Sequence, residues 1–276
     1  PSLSCPANDT VYADGACEST LNDYRASATT TDNCTTSPSL DQSPASGLTL
    51  SGANTQYTVT ITSNDGNGND SACAFQVTLL DTTSPGVTCP AAIVIDVDED
   101  CEARVPHVIP DVGTTDNCSP NSEISLVQNP PADSILVGPS LMLSIVVTST
   151  DGSGNTNTCL VPITIRDVVK PTIQCPAIQT LYSDAACAST LDDYSSLAVT
   201  ADNCTASGAI TVAQNPAQGA GLAGKNATQI VTLTADDGNG NTESCRFTVQ
   251  LVDTISPTIT CPSPAAIKLD AQCRAV

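Results

Sequence analysis

The chain has no tryptophan, two phenylalanines, one methionine and one histidine. A core this short of large side chains buries little apolar area per domain, so covalent staples are expected. The single histidine, His107, lies in Val105-Pro106-His107-Val108, and no Ser-His-Asp set or H-E-x-x-H motif recurs around it. Acid–base and metalloprotease chemistry therefore lack their parts, and the chain reads as no enzyme. The adjacent acids Asp192-Asp193 and Asp236-Asp237 would point apart on a strand and make poor acid–base pairs. Basic residues are scarce too: 8 Lys and Arg stand against 29 Asp and Glu, a net charge of −21. That balance excludes nucleic acid and anionic membrane as partners. No apolar run approaches the roughly 20 residues of a membrane-spanning helix. Helical periodicity is missing as well; the nearest approach, residues 19–26 and 189–196, predicts one short helical turn each.

What the chain does have is repetition. Proline followed four residues later by Cys-Pro occurs at Pro1, Pro85, Pro171 and Pro257, with spacings of 84, 86 and 86 residues. Residues 1–84, 85–170 and 171–256 read as three modules and 257–276 as the start of a fourth. Thr10 to Arg25 (TVYADGACESTLNDYR) matches Thr180 to Ser195 (TLYSDAACASTLDDYS) at ten of sixteen positions. The second module has IDVDEDCEA and the fourth IKLDAQCRA, so the modules alternate A-B-A-B. A chain that stops inside a fourth module reads as a window on a longer array, continued past Val276 or completed by another copy. Fourteen cysteines in so polar a chain predict disulfides, and hence a secreted or surface protein.

Strict alternation marks two strands per module. Tyr57, Val59 and Ile61 share one face, as do Leu143, Ile145 and Val147, and Val231 and Leu233. After a polar turn, Cys73, Phe75, Val77 and Leu79 share a face, as do Cys159, Val161, Ile163 and Ile165, and Cys245, Phe247, Val249 and Leu251. This pattern predicts half-buried strands of an antiparallel sheet, and Pro162 on the opposite face suggests a free edge there. Many short strands with turn signals imply an all-β chain of tandem β-sandwich modules. Only three residues separate Asp81, Asp167 and Asp253 from the following module's proline, too few for a flexible tether.

With Cys-Pro at the start, Asp-Asn-Cys in the middle, D-G-x-G-N before the last strand, Cys-x-[FV]-x-[VI] within it and Asp-x-x-x-Pro at its end, the whole chain resembles the hyalin-repeat (HYR) family. The resemblance implies immunoglobulin-like modules in an elongated array and a part in extracellular adhesion. The Leu-x-Asp-Tyr segment of the A modules, where the B module has Val-Pro, departs from a uniform repeat.

Each D-G-[NS]-G-N turn sets oxygen-bearing side chains at alternate positions: Asp65, Asn67 and Asn69; Asp151, Ser153 and Asn155; Asp237, Asn239 and Asn241. Calcium loops are built this way. So are tight hairpin turns, in which glycine supplies positive φ and Asx side chains cap the backbone. Two further recurring acids, Asp81, Asp167 and Asp253 at the joints and Asp32, Asp116 and Asp202 before the third cysteine, favour Ca²⁺ as cofactor. Turn and joint flank one strand of about eight residues, which spans roughly 26 Å. They cannot meet within a module, so Asp81 is expected to be met by the next module near Asp151 or Asp116.

Four cysteines per module allow three pairings. Local loops, and a fourth module holding only its first two cysteines, favour first-to-second and third-to-fourth. That predicts Cys5–Cys17, Cys34–Cys73, Cys89–Cys101, Cys118–Cys159, Cys175–Cys187, Cys204–Cys245 and Cys261–Cys273. Six N-x-[ST] sequons (Asn8, Asn33, Asn69, Asn117, Asn203 and Asn226) are candidate glycan acceptors. Together these features predict a structural repeat section of an extracellular filament, matrix or adhesin stalk, partnered by further modules or copies of itself. The alternative is an adhesion module that binds a glycan or a receptor.

Overall fold

A computed structural model describes every residue except Ser140, Pro264, Ala265, Leu269 and Val276. The expected continuation past Val276 thus falls outside the described residues. Strands and single 3-10 turns make up the regular structure, with no α-helix among the described residues. Among the described residues no helix is long and apolar enough to cross a membrane. The chain forms two compact units, Pro1–Arg166 and Asp167–Val276. The first holds two β-sandwiches and the second holds one.

In the first sandwich, β1 (Ser2–Ser4) pairs with β4 (Thr29–Thr31), and β3 (Glu18–Thr20) pairs with β6 (Thr49–Ser51). Facing these ribbons is a four-stranded sheet of β2 (Asp9–Tyr12), β5 (Ser39–Ser43), β7 (Gln56–Asn64) and β8 (Asp70–Leu80), in the order β2-β8-β7-β5. The same sheet recurs over Ile93–Arg166 and Gln179–Val252. The alternation of β7 and β8 works as the pattern requires: Val59, Ile61, Val77 and Leu79 are fully buried, while Thr58 and Thr60 face outward. Both β7 pairings are antiparallel, as expected, but β2 joins β8 in parallel. Four residues such as Asp9–Tyr12 carry too little pattern to reveal a partner across the module. Pro162 pairs with Ser144 and sits one residue before the parallel pairing that starts at Ile163, so its missing N–H costs no ladder bond there.

The helical turns are shorter than the sequence suggests, at Arg25–Ser27 and Ser195–Leu197, and Glu18–Thr20 and Ala188–Thr190 are strands. The B module has its own turn at Ile109–Asp111. The two module types solve this region differently. Tyr24 and Tyr194 pack edge-on against Phe75 and Phe247, whereas Val105 and Val108 fill the B module's core. One clamp is common to all three. The side chains of Gln42, Gln128 and Gln214 accept the N–H of Tyr24, Val108 and Tyr194. Their amides donate to two carbonyls each: Asn22 and Pro44, Pro106 and Pro130, Asp192 and Pro216.

The cysteine pairing differs from the sequence expectation. First pairs with fourth, as Cys5–Cys73, Cys89–Cys159 and Cys175–Cys245. Cys17 pairs with Cys118, one module to the next. The predicted Cys5–Cys17, Cys34–Cys73, Cys89–Cys101, Cys118–Cys159, Cys175–Cys187 and Cys204–Cys245 bonds therefore cannot form, and the predicted Cys261–Cys273 bond is not made. Cys101 and Cys204 are disulfide-bonded, but Cys34, Cys187, Cys261 and Cys273 are free thiols. The reason is geometric. The first cysteine follows β1, which packs beside β8, and its Cα lies 5.7 Å from that of Cys73. Cys17 sits at φ 60° in a loop whose Asp14 carboxylate accepts the N–H groups of Ala16 and Glu18, which turns it out of the sandwich. Loop length, on which the local pairing rested, changes closure entropy only slowly and does not override Cβ direction. Closing 68 residues limits the unfolded chain by about 4 kcal/mol.

The clamp is testable. Gln128→Ala leaves the Val108 N–H and the Pro106 and Pro130 carbonyls without their partner and is expected to cost about 1–3 kcal/mol in urea unfolding. Val127→Ala, at an outward-facing neighbour, should stay within about 0.5 kcal/mol. Equal effects would mean the clamp contributes nothing.

Candidate metal centre

The D-G-x-G-N turns are built around their first aspartate. The Asp65 carboxylate accepts the N–H groups of Asn67 and Asn69, and Asp151 and Asp237 do the same for Ser153 and Asn155, and for Asn239 and Asn241. The second glycine of each, Gly68, Gly154 or Gly240, lies at φ 91°, 90° or 101°, where an L side chain would be strained. The last asparagine turns its amide onto the same aspartate: Asn69, Asn155 and Asn241 donate to Asp65, Asp151 and Asp237. The Asn67 amide lies near its own turn's Asp65 carbonyl. The amide nitrogens of Asn69, Asn155 and Asn241 are thus donors that shape the turn.

A second loop is set by the aspartate of Asp-Asn-Cys. One oxygen of Asp116 accepts the N–H groups of Cys118 and Ser119, and one oxygen of Asp202 accepts those of Cys204 and Thr205. The other oxygen, Oδ1 in both, is buried with no hydrogen-bond partner. The third element is the joint. Asp81 follows β8 directly, receives the Thr83 N–H and the Ser153 hydroxyl, and accepts the Asn155 amide on its carbonyl. In the second unit Asp167 receives the Val169 N–H and the Asn239 amide, with the Asn241 amide on its carbonyl.

These elements bring Asp81, Asp116 and Asp151 together, with one carboxylate oxygen from each within 4.8 Å of the others; Asp167, Asp202 and Asp237 form the same cluster. Asp81 and Asp167 are 2% exposed, Asp151 6% and Asp237 4%. Among the described residues no Lys, Arg or His forms an ion pair with any of the six. At 4.8 Å and an effective dielectric near 20, each ionised pair repels by roughly 3–4 kcal/mol. Burial, followed by the charges of Asp202 and Asp237, pushes the Asp167 carboxyl above its ordinary range. Burial also acts upward on Asp237, but the Asn241 side chain and the Asn239 and Asn241 N–H groups outweigh it and hold the group low. Hard oxygens, buried and convergent, with one left over, fit a divalent cation that takes six to eight oxygen ligands.

Asp32 and Asp65 occupy the first module's equivalent positions and join no cluster of three among the described residues. The Cys34 and Thr35 N–H groups, joined by the Pro1 ammonium 3.1 Å away, bring Asp32 down to about 2. Asp253 receives the Ile255 N–H and the Ser183 hydroxyl and joins no cluster among the described residues.

The first joint carries contacts that the sequence did not disclose. Cys17–Cys118 crosses it, the Asn117 amide donates to the Asp14 carbonyl, and the Asn157 amide donates to the Pro85 carbonyl. Its one available signal is that Asp14, Asp98, Asp184 and Asp270 each precede a second cysteine by three residues. An Asx-braced turn at that spacing aims the thiol outward.

No protein-family model matches the chain, and no curated protein does. The hyalin-repeat resemblance therefore rests on its motifs. Among solved structures, extracellular cadherin domains 3–6 of protocadherin gamma B2 are 14% identical, with 92% of this chain and 73% of that one covered at a TM-score of 0.36. Mouse cadherin-23 EC22-24 is 16% identical over 90% and 96%, at 0.33. Drosophila N-cadherin EC1-4 is 13% identical over 92% and 74%, at 0.32. Likeness at this level transfers neither ligand nor partner, and the chemistry of the joint follows from its own atoms.

Asp167 provides a direct readout. A carboxyl raised in the folded state above its ordinary 3.8 is a burden above its folded pKa, and the stability it withholds returns as pH falls through that value. In chelator its carboxyl carbon should titrate above 3.8 by NMR, and calcium should move that midpoint down. A midpoint at or below the ordinary value without calcium would contradict the crowding.

Proposed function

We propose that the chain is a repeat section of an extracellular, surface or matrix stalk or filament whose modules are locked by disulfides and by Ca²⁺ at the three-aspartate clusters. The carrying observation is the convergence of Asp81, at the end of one sandwich, with Asp116 and Asp151 from two loops of the next. A cation there cancels repulsion that would otherwise push the joint apart, and it ties the end of one module to the following one. The immunoglobulin-like, hyalin-repeat character belongs to the same reading, as do the module limits 1–84, 85–170 and 171–256. The disulfides point to an oxidising compartment. Further modules or copies of the same kind are the natural partners, because the joint surfaces are complementary rather than self-matching. A glycan- or receptor-binding reading would call for an aromatic site that breaks the repeat. The exposed tyrosines, Tyr12 at 62% and Tyr182 at 64%, instead hold the same position in both A modules.

Extracellular calcium sites bind at about 10⁻⁴–10⁻³ M, so about 2 mM calcium stabilises by roughly 0.6–1.8 kcal/mol per site. Chelation is expected to lower the melting temperature by a few °C. Because Cys17–Cys118 also holds the joint, C17S/C118S should show the larger change: chelation should alter its maximum dimension in X-ray scattering, and calcium should restore it. Scattering and melting of C17S/C118S that ignore both calcium and chelator would refute the calcium joint.

A further inference from the structure

Five of the six N-x-[ST] sequons lie in loops of the kind that form the first joint. The Asn117 amide donates to the Asp14 carbonyl across that joint, and its side-chain oxygen is buried. Asn33 and Asn203 hold the same place in their own Asp-Asn-Cys loops. The Asn69 amide closes its turn on Asp65, and its counterpart Asn155 also meets the Asp81 carbonyl. Asn226, at φ 58°, holds the place of Asn54, also at φ 58°, whose amide reaches the Ser153 hydroxyl across the first joint. A sugar chain is bulky, and in these loops it would obstruct contacts such as the first joint makes.

Asn8 is different. It precedes β2, the edge strand of the four-stranded sheet, and lies beside Gln76 in the middle of β8, away from either end of the module. Its side-chain oxygen accepts the Gln76 N–H at 2.9 Å, which extends the pairing of β2 with β8 by one residue. That bond uses the oxygen alone and leaves Nδ2, the atom to which a sugar is joined, with no partner among the described residues. Asn8 is exposed, and so are Ala92 and Ile178, which stand three residues after Cys89 and Cys175 as Asn8 stands after Cys5. The exposure therefore belongs to the position in each of the three modules, whatever precedes it. Thr10, which completes the sequon, is exposed on β2, while the Asp9 carboxylate between them accepts the Tyr24 hydroxyl.

We infer that Asn8 is an N-glycan acceptor, taking its sugar from a lipid-linked diphosphate oligosaccharide. Asn8 Nδ2 bonds to the anomeric carbon, the bond from that carbon to the phosphate oxygen breaks, and the lipid diphosphate leaves with the electron pair. One amide proton goes to base. The amide oxygen is untouched, so Gln76 keeps its acceptor. The sugar stands beside the open edge of β2, which pairs with β8 alone among the described residues, and hinders a further strand from adding there. The inference rests on the extracellular part of the proposed function, since the donor is met on the secretory route, and not on calcium.

The test is secretion of the full chain from cultured mammalian cells, then peptide N-glycosidase in heavy-oxygen water, which marks each sugar-bearing asparagine as labelled aspartate. Peptide mapping should find the label at Asn8 in most secreted chains and none at Asn69 or Asn117. Thr10→Val removes the sequon without touching the Gln76 bond and should abolish the label at Asn8, whereas Thr10→Ser should keep it. A secreted, disulfide-bonded chain with Asn8 unlabelled, or with Asn117 labelled as fully as Asn8, would overturn the assignment. A labelled Asn8 in a protein that binds no calcium would sustain it while the calcium joint falls.

Discussion

Three carboxylates that cannot move apart are the constraint on which the joint depends. Each is fixed by its own backbone: Asp151 caps the turn it begins, Asp116 caps the loop that carries Cys118, and Asp81 ends the longest strand of the preceding sandwich. None can swing out to water without undoing the turn it holds. Pairwise repulsion of a few kcal/mol, set against a domain stability of about 5–15 kcal/mol, is too large to leave uncompensated. Asparagine and serine donors offset part of it, and a divalent cation would offset the rest.

The covalent framework answers the same problem from another side. Cys5–Cys73 and its equivalents fasten the opening strand to the strand that ends at the joint aspartate, so the joint begins from a rigid base. Cys17–Cys118 holds the two sandwiches through the same loop that brings Asp116 to the carboxylate cluster, so the bond also fixes that carboxylate in place. This suits a core of Val, Leu and Ile with two phenylalanines, which could not by itself hold modules in register.

Legibility in the sequence followed the range of the interaction. Alternation in Tyr57, Val59 and Ile61 and in Phe75, Val77 and Leu79 is a local property, and it specified both strands and their buried faces. The meeting of Asp81 with Asp116 and Asp151 was legible because strand length forbids the alternative within one module. The pairing of cysteines was not. Cys5 and Cys73 are far apart in sequence, and only the packing of β1 on β8 makes them neighbours. Cys17 looks like Cys5 until the φ of its loop is known. The asparagines of the turn read as ligands because they carry oxygen, yet the hydrogen-bond network turns their nitrogens to the aspartates. The glutamine clamp did leave a signal, a Gln-x-Pro that recurs at Gln42, Gln128 and Gln214, but one polar residue at module spacing does not say which backbone groups it bonds.

The most direct test of the cation joint is calcium titration by isothermal calorimetry, with the wild-type chain compared with D81N/D167N. One carboxylate of each cluster is thereby neutralised with little change of shape. Saturable binding of at least two ions per chain at about 10⁻⁴–10⁻³ M, reduced by two in the variant, is the expected result. Binding of the same stoichiometry and affinity in both proteins, or none in either, would contradict it.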